Sequence, residues 1–371
     1  MQNSRQQGDG IPLKKNKHPV RMIPSIVTNP LYRLSLLVLL VAASAFSIKW
    51  NKCQPLPSDQ DKLSFTSPVR VLFEDQAGDW WFGSDREGVV RFDGDHWTYF
   101  TEADGLADNQ IRSIQEDREG NLWFETGSGI SKYDGATFTK YPDASRWQFT
   151  NRLEWDWSIR NGDLWFGAGP RDGVYHYEYE SPHYLAFPPT GDPENARPAH
   201  VYTTFEDARS NIWFGTVGRG VIRYNGREFL HLNDNWPAVR AIHQDDRGTI
   251  WIGTNGAGLI RYDGKELHNF TNAQGLENPD FVQTGQVSYR PETMARIWSV
   301  THDLAGNLWI ATIDAGIWQY DGEHLTHFTT GDGLTSLEVH TIYRDQHGNI
   351  FAGMGDGSVC WFDGDCFQKI Y

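Results

Sequence analysis

Basic side chains and cysteines are both scarce in this chain. Its 371 residues include 33 lysines and arginines against 48 aspartates and glutamates, which gives a formal net charge of −15 at pH 7. Binding to a phosphate backbone needs a basic surface, so this balance argues against nucleic acid as a partner. The 3 cysteines are too few for a disulfide framework, and a chain of this length can bury a sufficient core without one.

The short motifs of several enzyme classes are also missing. The sequence has no His-Glu-x-x-His motif, no Cys-x-x-Cys pair, no phosphate loop ending in Gly-Lys-Ser or Gly-Lys-Thr, and no Gly-x-Ser-x-Gly motif. His340 and His200 could act as an acid or a base, but a solitary histidine in a strand is more often structural. We therefore expect no catalytic residue, no metal and no cofactor.

One long hydrophobic run occurs, from Leu34 to Ile48, fifteen residues without a charge. It follows a leader, residues 1–33, that is rich in lysine and arginine and has Asp9 as its only acid. This combination is typical of a membrane-directed segment whose basic flank stays in the cytoplasm while the following residues are exported.

The hydrophobic segment, residues 34–50, has two readings. Its length is that of a signal peptide, with cleavage near Ala45 and secretion of the rest of the chain. Extended to Leu31–Trp50 it reaches 20 residues, enough to span a bilayer as an uncleaved single-pass anchor, and we favour this reading. Residues 51–61 are polar and contain two prolines, so we expect a linker before a domain at residues 62–371.

That domain consists of repeats, of which Asp303–Thr329 is a well-formed copy. The aromatic of its Leu-Trp-Ile core recurs at spacings of 42, 42, 48, 38, 58 and 42 residues. Several short strands per period of about 40 to 50 residues predict an all-β fold, a seven-bladed β-propeller with four antiparallel strands per blade. The seven core aromatics are Trp81, Trp123, Trp165, Trp213, Trp251, Trp309 and Phe351.

Asp-Gly or Asn-Gly dipeptides separate the last two strands of most copies, as at Asp134-Gly135, and predict type I′ hairpin turns. The outer strand is expected to carry an aromatic nineteen residues after the core aromatic, as at Phe100, Phe270 and Phe328. By the same count the C-terminus supplies the outer strand of the seventh blade. A closure in which Lys62–Thr66 provides that strand is the alternative.

Asp207–Gly226 and Asp245–Gly264 carry the pattern Asp-x-x-Gly-Asn-Leu-Trp-x-Gly-Thr followed by Gly-x-x-Arg-Tyr-Asp-Gly, with few departures. This pattern resembles the two-component regulator propeller repeat, found in the exported sensory halves of bacterial hybrid sensor kinases. The resemblance implies a bacterial membrane protein with its propeller in the periplasm or outside the cell. The sequence ends with the last predicted blade, so we expect no phosphotransfer domain.

Residues shared by all copies are explained by the fold, so function is sought where copies differ. One position of the innermost strand, eleven residues before each core aromatic, varies while its neighbours stay small or apolar. Because innermost strands line the central channel, these seven side chains, here called the channel ring, are expected at its mouth. They are Arg70, Arg112, Glu154, Tyr202, Arg240, Trp298 and His340.

Loops that open on the same face add further candidates, since long insertions on one face of a repeat array often mark the binding face. These candidates are Arg86, Arg171 and Arg219 in the glycine loops, and Trp155 between blades. Arginines pair bidentately with anionic groups, and aromatic side chains offer flat platforms for sugar rings.

We therefore predict a non-catalytic sensory propeller that binds an acidic oligosaccharide or an envelope protein at the channel mouth. Two alternatives remain open. Streptogramin lyases are seven-bladed propellers with a similar Gly-Asn-Leu-Trp-Phe repeat, and this resemblance implies a lyase with His340 near the reaction. A scaffold that docks other envelope proteins would use a flat rim instead of the channel mouth.

Overall fold

The computed structural model describes residues 63–142, 159, 162–168, 172–178, 181–188, 199–233, 236–286 and 288–371. The predicted leader 1–33, hydrophobic segment 34–50 with Ala45, and linker 51–61 lie outside these residues, as do Glu154, Trp155 and Arg171. Among the described residues, no helix has the length and apolar character needed to cross a bilayer.

The described chain folds into seven antiparallel sheets, each built from consecutive strands. The first four blades contain β1 Val69–Glu74, β2 Trp80–Ser84, β3 Val89–Phe92 and β4 Trp97–Phe100; β5 Ile111–Glu116, β6 Leu122–Thr126, β7 Gly129–Tyr133 and β8 Phe138–Pro142; β9 Leu164–Gly167, β10 Gly173–Glu178 and β11 Ser181–Ala186; and β12 His200–Glu206, β13 Ile212–Val217, β14 Val221–Tyr224 and β15 Phe229–Leu232.

The last three blades contain β16 Val239–Gln244, β17 Ile250–Thr254, β18 Leu259–Tyr262 and β19 Leu267–Asn269; β20 Ile297–His302, β21 Leu308–Thr312, β22 Ile317–Tyr320 and β23 Leu325–Phe328; and β24 Val339–Arg344, β25 Ile350–Met354, β26 Val359–Phe362 and β27 Phe367–Lys369. Helices α1 Phe270–Ala273 and α2 Pro279–Thr284 lie between the fifth and sixth blades, and a 3-10 turn Thr330–Asp332 precedes the seventh. The all-β, seven-bladed fold predicted from the repeats is confirmed.

The hairpin between the first two strands is fixed by a buried carboxylate. In the fourth blade, Asp207 Oδ1 accepts the backbone N–H groups of Arg209 and Asn211, and its Oδ2 accepts the Nε1–H of the core Trp213 at 2.8 Å. The same aspartate–indole bond recurs at Asp75, Asp117, Asp245 and Asp303. One aspartate thus sets the turn and orients the aromatic that fills the space between blades.

Neighbouring blades approach closely beside the channel, where the second strand usually carries glycine. A Cβ built on Gly253 would lie 2.6 Å from Ile297 Cγ2 in the next blade. That distance is below van der Waals contact, so the small residue is a packing requirement. Core tryptophans complete the contact between blades; Trp81, Trp123, Trp213 and Trp309 are among the largest fully buried side chains.

The Asp-Gly turns differ from the predicted type I′ geometry. Phe92 pairs with Trp97, so four residues form the loop, and Gly94 has a φ of 98° whereas Asp93 has no positive φ. The Asp93 carboxylate instead accepts the backbone N–H groups of Asp95 and His96. The type I′ prediction was wrong because aspartate acts here through its side chain and not through a left-handed backbone.

The ring of blades closes without strand exchange. The seventh blade contains its own four strands, and among the described strands no sheet combines those of the first and last blades. Closure is by aromatic packing: the Trp80 ring lies 4.7 Å from Phe351, and the Tyr371 ring lies 4.7 Å from Trp97. One predicted outer-strand residue is corrected, because β19 ends at Asn269 and Phe270 begins α1.

Candidate functional site

The channel-ring residues share a backbone feature that the sequence did not reveal. In the first blade, Val69 pairs with Ser84 and Val71 with Gly83, so Arg70 is the extra residue of a β-bulge. A bulge frees its residue from the sheet register and redirects its side chain. The same register shift occurs at Arg112, Tyr202, Arg240, Trp298 and His340, that is, in every innermost strand with a described partner.

Four ring residues from consecutive blades form one continuous stack. The guanidinium carbon of Arg240 lies 3.7 Å from the ring centroid of Tyr202 and 4.9 Å from that of Trp298. The Trp298 ring in turn meets the His340 imidazole edge to face, with centroids 4.8 Å apart. The structure therefore brings together the predicted residues of the fourth to seventh blades in one stack.

Arg240 is the cation of this stack, and no acidic side chain among the described residues forms an ion pair with it. Its Nε is buried and has no hydrogen-bond partner in the described part of the chain. Burial lowers the pKa of Arg240, and the charges of Arg70 and Arg296 act in the same direction. A half-buried guanidinium with a buried, unpartnered Nε and two other cations nearby is a candidate site for an anion.

The next two ring residues also present unpaired nitrogens. Trp298 Nε1 and His340 Nδ1 are both buried without a hydrogen-bond partner among the described residues. His340 Nε2 lies 2.7 Å from Glu338 Oε1, and the histidine side chain is 7% exposed. Burial lowers the pKa of His340, while the adjacent Glu338 carboxylate opposes that shift.

The other predicted arginines are differently placed. Arg70 Nη1 pairs with Asp85 at 2.7 Å, and Arg112 Nε donates to Gln110 at 3.1 Å. The remaining two differ in exposure: Arg86 has an 82% exposed side chain, whereas Arg219 is buried and its Nη2 lies 2.6 Å from Asp172. The guanidinium groups of Arg70 and Arg219 thus already have carboxylate partners, unlike that of Arg240.

Sequence reasoning missed a group of polar side chains that bond to the third blade. The Gln115 side chain donates to Trp165 O at 2.9 Å and accepts from Trp165 N at 3.4 Å, and Thr204 Oγ1 donates to the same carbonyl at 3.2 Å. Glu125 accepts the backbone N–H of Gly167. Three side chains from the second and fourth blades therefore bond the edge of β9.

These three residues depart from the other copies at their positions, which is the signal that could have identified them. Gln115 stands where two other blades have Phe73 and Phe205, and Thr204 stands where others have aliphatic residues. Glu125 replaces the glycine or alanine of the other blades, and burial raises its pKa. Their polarity is explained by β9, so we do not include them in the candidate binding site.

The fold and the ring define a class: a seven-bladed propeller in which each described innermost strand carries one variable side chain at a β-bulge. The family model of the two-component regulator propeller matches residues 105–124 and 233–256. In these two stretches the chain therefore matches the two-component regulator propeller repeat, as the pattern of its copies indicated. No curated protein sequence matches the chain.

Solved structures share the fold at low sequence identity. The extracellular domain of the hybrid two component system BT3049 from B. thetaiotaomicron has a TM-score of 0.60 and 19% identity over 80% of this chain and 40% of its own. That of the one component system BT4673 from the same organism has a TM-score of 0.57 and 23% identity over 82% of this chain and 40% of its own.

A streptogramin B lyase structure has a TM-score of 0.59 and 16% identity over 81% of this chain and 95% of its own. Identities this low establish the propeller fold alone. The chain spans about two fifths of the length of the first two relatives. In the described part of the chain, no group of three His, Cys, Asp or Glu residues is arranged to hold a metal ion.

Proposed function

We propose that this protein is a non-catalytic sensory module that binds an anionic ligand at the channel mouth. The observation that carries the proposal is Arg240, a half-buried arginine whose Nε is fully buried without a hydrogen-bond partner and whose guanidinium has no carboxylate partner among the described residues. Withdrawing an ion from water without a counter-charge is unfavourable, and a bound anion would offset that cost. Of the other described ring arginines, Arg70 is paired with Asp85 and Arg112 donates to Gln110, so the anion is expected at Arg240.

The aromatic neighbours of Arg240 support a sugar as the carrier of that anion. Tyr202 is 49% exposed, so part of its ring is available to a ligand beside Arg240. Aromatic faces stack on sugar rings while guanidinium pairs with carboxylate or sulfate. An acidic oligosaccharide would satisfy both groups; an acidic loop of an envelope protein is the other partner that this chemistry fits.

The signalling context is part of the same proposal. It is supported by the repeat type and by the similarity to extracellular domains of regulatory systems. Under it, residues 34–50 anchor the chain in a bacterial membrane and the propeller lies in the periplasm or outside the cell. Ligand binding at the ring would then be reported to a partner protein.

The test uses the full chain, purified in detergent, and measures binding by thermal shift and calorimetry. The probes are polygalacturonate and heparan sulfate, with dextran as the neutral control. We expect an acidic glycan to raise the melting temperature of the wild type but not of Arg240→Met. The matched control Arg209→Met, an exposed hairpin arginine, should respond like the wild type.

Unchanged binding by Arg240→Met would refute the proposed site. Co-purification of another protein with no response to any glycan would favour the docking scaffold instead.

A lyase remains the second candidate because of one contact, the 2.7 Å pair of His340 Nε2 and Glu338 at the channel mouth. A carboxylate can hold a histidine ready for proton transfer. Turnover of an acidic glycan by the full chain that is lost in His340→Gln would support this candidate. If EDTA also abolished the turnover, a metal-dependent lyase would be indicated.

A further inference from the structure

We infer that His340 makes the proposed anion site selective for ligands that carry a hydroxyl group beside the anionic group. This inference rests on the proposed function, because it assumes an anion at Arg240. It adds one property that Arg240 cannot provide, a hydrogen-bond acceptor of fixed orientation. The chemical class it selects is the hydroxy acid, of which sugar acids are the common example.

The acceptor follows from the contact of His340 with Glu338. The Glu338 carboxylate only accepts hydrogen bonds, so His340 Nε2, 2.7 Å from its Oε1, must carry a proton. The second ring nitrogen, Nδ1, then carries a lone pair as long as the imidazole is neutral. A second proton would place a cation in a side chain that is 7% exposed and near Arg70. His340 is therefore an acceptor at its unpaired atom.

The two neighbouring ring residues offer the opposite polarity. Arg240 Nε–H and Trp298 Nε1–H are donors, and both are buried without a partner in the described part of the chain. The three side chains are in contact, through the 4.9 Å guanidinium–indole and 4.8 Å indole–imidazole distances. The donors of Arg240 and Trp298 are complementary to an oxyanion. The acceptor of His340, next in the stack, is complementary to a hydroxyl group beside that oxyanion.

A bare anion fits this arrangement less well. An oxyanion that reached Arg240 and Trp298 would leave the lone pair of His340 unsatisfied or would meet it directly, and both are unfavourable. A site with a buried polar group discriminates strongly against an analogue that lacks the matching group. The nitrogens are buried, so the ligand must enter among these side chains and cannot merely rest on them.

The experiment compares two probes that share a ring and a carboxylate. D-glucuronate has hydroxyl groups, and tetrahydropyran-2-carboxylate lacks them. Calorimetry on the full chain is expected to show about tenfold tighter binding of glucuronate, the value of one well-formed hydrogen bond in a buried site. His340→Phe keeps an aromatic edge at Trp298 and removes the acceptor, so it should bind both probes equally. His347→Phe, in a hairpin outside the ring, is the matched control.

Equal binding of the two probes by the wild type, or a preference that survives in His340→Phe, would overturn the inference while leaving the anion site in place. Loss of all carboxylate binding in Arg240→Met, with the probes still distinguished by the wild type, supports both proposals. If the wild type binds neither probe and no acidic glycan, both proposals fail together.

Discussion

A pair of histidines between the fifth and sixth blades should make the stability of the propeller depend on pH. His243 Nε2 and His302 Nδ1 are 2.6 Å apart, and His302 Nε2 lies 3.0 Å from Asp246 Oδ1. Asp246 accepts from Nε2–H of His302, and the short contact between the two rings joins Nδ1 of His302 to Nε2 of His243. Burial, reinforced by His302, lowers the pKa of His243 to about 4.

The direction and size of the effect follow from this shift. A histidine with a lowered pKa in the folded state stabilises the fold at a pH above its unfolded pKa of 6.5, and this contribution is lost as the pH falls from 6.5 to 4. The shift of about 2.5 units corresponds to about 3 kcal/mol of unfolding free energy at 1.36 kcal/mol per unit. Most of this contribution to the unfolding free energy should be lost by pH 4.5.

The perturbation is His243→Phe. The fold accommodates phenylalanine at this position, since Phe73 and Phe205 occupy it in other blades. Urea unfolding at pH 7.5 and pH 4.5 measures the result. The wild type should lose about 2 to 3 kcal/mol more than the variant between the two pH values. His347→Phe removes a histidine elsewhere and should behave like the wild type. A parallel loss in the wild type and His243→Phe would refute the reasoning.

Three further predictions test the packing by chemical denaturation. Asp207→Ala removes the acceptor of two backbone N–H groups and the core indole, and should cost about 3 kcal/mol; a loss below 1 kcal/mol would contradict that role. Gly253→Ala places a methyl group against the next blade and should lower the unfolding free energy by about 2 kcal/mol. Ala311→Gly, at the equivalent position of another blade, should lower it less. A larger loss for Ala311→Gly than for Gly253→Ala would be inconsistent with a packing role. Gln115→Leu leaves Trp165 N and O without that side chain and should cost about 2 kcal/mol, and a neutral effect would show that β9 does not need it.

The blade count and most strands could be predicted because seven copies repeat one pattern of short alternating runs. The details that failed depend on atoms that the pattern does not specify. Asp93-Gly94 was assigned a type I′ turn from the dipeptide, but the carboxylate of Asp93 accepts two backbone N–H groups and selects a longer loop. Phe270 matched the aromatic spacing, yet the insertion that follows begins with a helix at that residue.

The channel ring could be located from the sequence, but its internal differences could not. Whether an arginine is paired depends on residues brought close by the blades: Arg70 reaches Asp85 in its own glycine loop, whereas Arg240 lies between aromatic side chains. The bulge that presents each ring residue was likewise invisible, since an extra residue leaves the spacing of the copies unchanged. The variation at Gln115 was visible, but its partner, the backbone of Trp165, was not.

The bulges have a consequence for how such a protein can change its specificity. Among the described residues, each ring side chain belongs to the one residue of its strand that is left out of the cross-strand register. Substitutions at these positions, in evolution or in a randomised library, can therefore change the ring side chains without altering the hydrogen bonds between strands. New recognition would then arise without a new scaffold, one blade at a time.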